Sequence, residues 1–154
     1  MSVKPDFVHL HLHTEFSLLE GAGHVGELVG EAERLGMRAM AITDHGNMFG
    51  AVNFHDACRE RGVKPILGCE IYVAPGSRFT REASSASEAY NHFTLLASNE
   101  VGYHNLIKLV SMGYLEGFYH RPRIDKDILQ KHSEGLIGLS GCLSSEISQH
   151  LLAG

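Results

Sequence analysis

Apolar and polar residues change their spacing at intervals along the chain, and the changes predict strands and helices in alternation. Phe7 to His13 alternates with period two, as a half-buried strand does. From Gly21 to Gly36, Val25, Leu28, Val29, Ala32 and Leu35 recur at helical spacing. Met37 to Thr43 is a short apolar run, Gly50 to Arg61 is helical in character, and Lys64 to Val73 is another apolar run, bounded by Gly62 and Pro75. Further on, the pattern predicts a strand over His92 to Ala97, helices over Gly102 to Leu115 and Asp125 to His132, a strand over Gly135 to Leu139 and a helix over Ser144 to Leu152. Pro75 to Ala89 has no apolar periodicity and is rich in Ser, Ala, Arg and Glu, so it is expected to be a mobile excursion.

The resulting order, β-α-β-α-β-loop-β-α-α-β-α, is that of an α/β fold with a mainly parallel sheet. Folds of this kind gather their chemistry at the carboxyl ends of the strands. With 44% apolar residues the chain can bury a core as one domain, but its 154 residues fall short of the roughly 200 that a closed β/α barrel takes.

A formal charge of −5 excludes a surface built mainly to grip a phosphate backbone, because such surfaces cluster Lys and Arg. Met1 to Asp6 carries charge and a proline, so neither a signal peptide nor a membrane span is expected, and a cytoplasmic address follows. Cys58, Cys69 and Cys142 lack C-x-x-C spacing, which speaks against a disulfide framework or a cysteine-rich zinc module. The eleven histidines are the compositional oddity.

Their positions matter more than their number. His9, His11 and His13 fall at every second residue of the first predicted strand, which places all three on one face. A strand presenting three imidazoles inward makes a poor core, since each ring carries polar atoms that burial obliges it to satisfy. A single histidine is more often an ordinary hydrogen-bonded residue, but the His11-Leu12-His13-Thr14 pair at a strand end favours a metal site. The next run closes in Thr43-Asp44-His45-Gly46, which reads equally well as a turn with a helix cap or as an acid and an imidazole delivered to the same strand ends. Pro65 to Glu70 runs apolar residues into a carboxylate, and a buried Glu needs a partner such as a cation. Glu20 could reach the same cluster from a loop or stay solvated, His92 opens the fourth strand, and Cys142 ends the fifth, where it reads as a small buried residue or a ligand. Imidazoles and carboxylates with at most one thiolate suit Zn, Mn or Fe in a cluster of two or three ions, and phosphoester hydrolysis is the natural chemistry of such clusters.

His11 to Thr14, Thr43-Asp44-His45 and Gly68-Cys69-Glu70 resemble the successive motifs of the polymerase and histidinol phosphatase (PHP) superfamily. Phe7 to Ser17, Ile42 to Gly50, Gly62 to Gly68, Gly117-Phe118-Tyr119, Pro122 to Asp125 and Gly135 to Cys142 resemble the branch that opens the alpha subunit of bacterial DNA polymerase III. The resemblance implies a distorted (β/α)7 barrel, here incomplete with about five strands, and up to three divalent metal ions. It implies His11, His13, Glu20, His45, Glu70, His92 and Cys142 as metal ligands, with Glu20 and Asp44 as the candidate catalytic carboxylates and Asp44 supporting His45 from behind. His9 matches a residue common in the branch and receives no role. Position 20 is usually Asp in this branch, so Glu20 adds a methylene. The family's last strands and a closing D-x-H motif fall past residue 154, so residues 1–154 are expected to form the amino-terminal part of such a domain.

Three functions compete. The first is metal-dependent phosphodiester hydrolysis, as a 3′ to 5′ exonuclease beside a polymerase, with DNA, the remainder of an alpha subunit and a proofreading subunit as partners. The second is a non-catalytic scaffold of the polymerase. The third is a stand-alone phosphatase of the histidinol phosphate type, which the Pro122 to Asp125 and Gly135 to Cys142 segments fit less well.

Overall fold

A computed structural model describes residues 7–83, 89–141 and 143–154. Six strands occur among them: β1 (Ala39–Ile42), β2 (Lys64–Val73), β3 (Asn91–Ala97), β4 (Phe118–Tyr119), β5 (Arg121–Ile124) and β6 (Leu136–Leu139). The helices are α1 (Val25–Arg34), α2 (Ala51–Glu60), α3 (Glu100–Leu115), α4 (Lys126–Lys131) and α5 (Glu146–Ala153), preceded by a 3-10 helix over Glu15–Glu20. The architecture is α/β, with a sheet that stays open among the described residues. Cys142, a predicted ligand, lies outside the described residues.

The long strand β2 organises the molecule. Its first half pairs in parallel with β1, from Ala39 opposite Lys64 to Ile42 opposite Leu67. Its second half pairs antiparallel with β3, placing Glu70 opposite Thr94 and Tyr72 opposite His92. Tyr72 and Val73 also pair in parallel with Arg123 and Ile124 of β5. Because β3 occupies one edge of β2 at Glu70 and His45 bridges to Glu70 from the other, β1 and β5 follow one another along the second edge. The expected parallel sheet is therefore mixed: β1, β2, β5 and β6 share one direction, while β3 runs against both of its neighbours and β4 forms a hairpin with β5.

Two apolar clusters flank this sheet. In the first, Val25, Val29 and Ala32 of α1 and Phe54 and Cys58 of α2 sit at helical spacing and bury against Met40 and Ile42. In the second, Leu106 and Leu109 of α3 and Ile128 of α4 pack on Cys69, Ile71, Val73, Leu95 and Ile124. Helix starts are satisfied by local side chains: Asn99 accepts from Gly102, Asp125 from Ile128 and Ser145 from Ser148. His24 makes no side-chain cap on α1, and the Glu15 carboxylate instead accepts from the Val25 N–H at 2.9 Å.

Two further expectations are corrected, and one hairpin had no counterpart in the sequence pattern. Phe7 to His13 runs beside β1 without forming a strand, since only the Ala41 and Thr43 amides reach the carbonyls of His9 and Leu12. The Thr43 hydroxyl takes the Leu12 N–H at 2.8 Å, where a ladder would use a carbonyl. The β4–β5 hairpin, unmarked by any alternation, is made by a one-residue turn at His120 with φ of 61°. Part of the expected mobile excursion is pinned. Arg78 pairs with Asp125 at 2.9 Å and with Glu116 at 2.6 Å, and the buried Arg123 guanidinium donates to the carbonyls of Gly117, Ala89, Arg78 and Thr80. Residues 84–88 of that segment lie outside the described residues. No helix among the described residues is long and apolar enough to cross a membrane.

Candidate metal centre

Glu70 sits at the centre of the candidate site, 2% exposed in the middle of β2. Its Oε2 lies 2.5 Å from His11 Nε2 and 2.9 Å from His13 Nε2, and its Oε1 lies 2.6 Å from His92 Nδ1. His45 completes the arrangement, with Nδ1 3.9 Å from the same Oε2. Two groups of donors that could hold a metal ion share this carboxylate: His11, His13 and Glu70 form one, and His45, Glu70 and His92 the other.

Each ligand candidate arrives by a different route. His11 and His13 come from the extended segment beside β1. His45 follows the end of β1 and is held by the reciprocal bonds Gly46 N–H to Glu70 O (2.8 Å) and Glu70 N–H to Asp44 O (3.1 Å). Gly46 has φ of +64°, and a Cβ there would stand 2.8 Å from the Tyr72 ring, so this turn requires glycine. His92 opens β3 opposite Tyr72. His13 stacks on His45 with ring centroids 4.1 Å apart, which fixes both planes. The expected row of three histidines is thus reduced to two: His9 is exposed, and its ring stands edge-on to Phe7 at 4.8 Å.

Asp44 lies buried behind this centre, not in it. Its carboxylate accepts from the Thr14 amide (2.6 Å), the Thr14 hydroxyl (2.8 Å) and the Ser17 hydroxyl (2.7 Å). A hydroxyl has one hydrogen, and Ser17 gives it to Asp44, which when ionised has none to return. The 3.1 Å contact between Ser17 Oγ and His13 Nδ1 must therefore be donated by the ring. That bond fixes the proton of a neutral His13 on Nδ1 and leaves Nε2 as a bare lone pair aimed at Glu70. Ser17 also accepts the His45 amide at 3.1 Å. Sequence reasoning missed Ser17, and a serine four residues after a histidine carries no signal that could have marked it.

The donor set fits a cation. With a neutral His13, an imine nitrogen and a carboxylate oxygen face each other at 2.9 Å with no hydrogen between them. His11 Nε2 lies 3.1 Å from His13 Nε2 as well as 2.5 Å from the carboxylate, and one ring proton cannot bridge both. His45 Nδ1 is buried without a hydrogen-bond partner, while its Nε2 lies 2.7 Å from Glu20 Oε2. Burial, followed by the neighbouring His13, pushes the His45 imidazole below its ordinary value, and the neutral ring is the form that ligates. Burial also opposes ionisation of Glu70, but the imidazoles of His13, His92, His11 and His45 gathered around it outweigh burial and hold the carboxyl well below the usual carboxylate range. The Cys69 thiol, by contrast, is pushed far up by burial and by Asp44 and Glu70; it donates to the Asp44 carbonyl and is inert.

Glu20 stands apart from both donor groups. It is half-exposed, touches His45 on the side away from Glu70, and pairs with Arg121 at 3.4 Å. Arg121 and the buried Tyr72, whose ring lies below the guanidinium at 5.8 Å, are further site residues that the sequence did not reveal.

Four imidazoles that converge on one buried Glu in an open α/β sheet are an arrangement of the PHP type. The chain belongs to the PHP domain family, whose model matches residues 9–154. It is 51% identical to the DNA polymerase III subunit alpha of Treponema pallidum over 148 residues, covering 96% of this chain and 13% of that protein. It is 50% identical to the subunit of the same name from Thermus aquaticus over 155 residues, covering 99% of this chain and 13% of that one. The chain therefore spans about an eighth of the length of the curated relatives it matches. Among solved structures, an amidohydrolase from Chromobacterium violaceum shares the fold, with a TM-score of 0.51 at 22% identity over 70% of this chain and 33% of that one.

Proposed function

We propose that this chain is the amino-terminal part of a PHP domain that hydrolyses phosphodiester bonds within a protein like the relatives' DNA polymerase III alpha subunit. Its role there is that of a 3′ to 5′ exonuclease in cytoplasmic DNA replication. The observation that carries this is the shared carboxylate of Glu70, against which the bare nitrogens of His13 and His45 are aimed. His11, His13, Glu70, His45 and His92 hold the cations, with Glu20 and Cys142 as further ligands; Zn, Mn and Fe suit the donors, in a cluster of up to three ions. When bound, such ions neutralise a phosphoryl group and acidify water.

The chain's own residues do the rest. Asp44 and Ser17 hold His13 in its ligating tautomer, and the stack of His13 on His45 keeps both rings in place. Glu20, at the solvent side of His45, is the carboxylate placed to accept a proton from the attacking water. DNA, the remainder of the alpha subunit and a proofreading subunit are the partners. Nucleotide transfer belongs to other parts of such a protein.

Metal analysis and phosphodiester hydrolysis by the full-length protein test this together. Glu70→Gln and His13→Ala should each lower metal content and reduce hydrolysis by more than about 100-fold with circular dichroism unchanged. Full hydrolysis by folded, metal-poor variants would overturn the proposal, and metal bound without any hydrolysis would favour the scaffold.

A further inference from the structure

A pocket of about 210 Å³ opens beside the metal centre, and the metal ligands alone do not account for it. Glu20 and His45 form its inner wall, so the two spaces are continuous. Three aromatic side chains of its lining stay exposed: Phe49 is 66% exposed, Phe118 51% and Tyr114 41%. Exposed rings grouped at one mouth mark an interaction site more often than chance surface. Arg121 also lines the pocket, paired with Glu20 at 3.4 Å.

The backbone gives a second, independent sign. Among the described residues only Leu18 and His120 are non-glycine residues with positive φ, at 54° and 61°, and both line this pocket. Leu18 breaks the 3-10 helix before Glu20, and His120 makes the turn before Arg121. Strain of this kind persists where the surroundings fix it and gathers at ligand clamps. Here it holds the two charged residues of the pocket mouth opposite one another.

We infer that this pocket binds the terminal nucleoside of a single-stranded nucleic acid, with the base against Phe49, Tyr114 and Phe118 and the guanidinium of Arg121 on the phosphate next to it. The inference rests on the phosphodiesterase function proposed above and adds the residues that select its substrate. A phosphate at the centre would have beside it the Glu20 and His45 side of this pocket, whose lining also includes Phe49, Tyr114 and Phe118. An aromatic peptide side chain carries no anion, and Arg121 would keep only its 3.4 Å pair with Glu20. A single strand end suits the chain because its charge of −5 offers no basic track for a duplex, whereas base stacking on aromatic rings needs none.

The test uses the full-length protein and two oligonucleotides, identical except that one lacks the base at the terminus to be removed. Wild type should cleave the base-bearing terminus about tenfold better in kcat/KM, and Phe118→Ala or Phe49→Ala should bring the ratio close to one. Arg121→Ala should raise KM for both substrates with the ratio kept, and Arg121→Lys should recover part of the loss. Equal cleavage of the two by wild type overturns the inference. If neither is cleaved, the hydrolytic function fails, and binding of the same oligonucleotides in metal-free buffer decides the pocket separately. A wild-type preference for the base that Phe118→Ala loses supports the pocket, because the variant isolates it from other DNA-binding surfaces. No preference, or one that the variant keeps, overturns it.

Discussion

Single atoms decide whether the rings around Glu70 ligate or merely hydrogen-bond. That His11, His13, His45, Glu70 and His92 would gather was legible because imidazoles and acids at predicted strand ends are uncommon as core residues. The control over those rings was not, since it runs through Ser17, whose hydroxyl spends its hydrogen on Asp44 and so accepts from His13. Ser17→Ala removes the acceptor from His13 Nδ1 and one donor from Asp44, while the Thr14 bonds to Asp44 remain. Metal affinity should then fall about 10- to 100-fold with the fold retained, as for other losses of a ligand's outer partner. Titration of the metal-free protein with Mn²⁺ or Zn²⁺ reads this directly; an unchanged affinity would mean that the Asp44–Ser17–His13 chain does not orient the ligand.

At the scale of elements, the apolar runs were read well and the irregular segments poorly. β2 spans the predicted Lys64 to Val73, a run that is mostly apolar apart from Lys64 and Glu70. The Phe7 to His13 alternation was real, but its backbone finds partners at few points, so periodicity alone overcalled a strand. The β4–β5 hairpin escaped because its strands are short and its turn holds His120, where a glycine would have signalled it. Arg78, in a segment expected to be loose, is anchored by Asp125, which also caps α4.

Asp125 is a test of that anchor. Burial works against its ionisation, but bonds from the Arg78 amide, the Ile128 amide and the Arg78 guanidinium prevail and depress it below its ordinary 3.8. The unfolded chain therefore binds more protons there, so the stabilisation is present above pH 3.8 and is lost as pH falls through the lower folded value. Asp125→Asn should cost about 1–3 kcal/mol at pH 7, where the charge is in place. The gap between wild type and variant should narrow on acidification below pH 4. Urea denaturation of both proteins at pH 7 and pH 3 measures it, and a gap that stayed constant would remove Asp125 from the account of acid sensitivity.

On the scale of the whole molecule, the α/β class was legible from the alternation of periods, while the reversal of β3 was not, because strand direction leaves no trace in hydrophobic pattern. That topology has an energetic consequence. The cluster built from α1, β1 and α2 and the cluster built from β2, β3, α3 and α4 meet along β2, and the candidate ligands come from both sides of the seam. His11, His13 and His45 belong with the first half, Glu70 and His92 with the second. A cation held by both halves binds the folded chain and not the separated one, so binding and stability are linked. At about 100 times the dissociation constant the gain is about 2.7 kcal/mol, which for a domain of this size raises Tm by roughly 5–10 °C. Glu70→Gln serves both donor groups badly at once and should lose most of this metal-dependent increment, whatever its own metal-free stability. Thermal melts with Mn²⁺ or Zn²⁺ and with chelator, run in parallel on the two proteins, separate the increment from the baseline. An increment that survives intact in the variant would place the cation away from Glu70 and leave the two halves joined by packing alone.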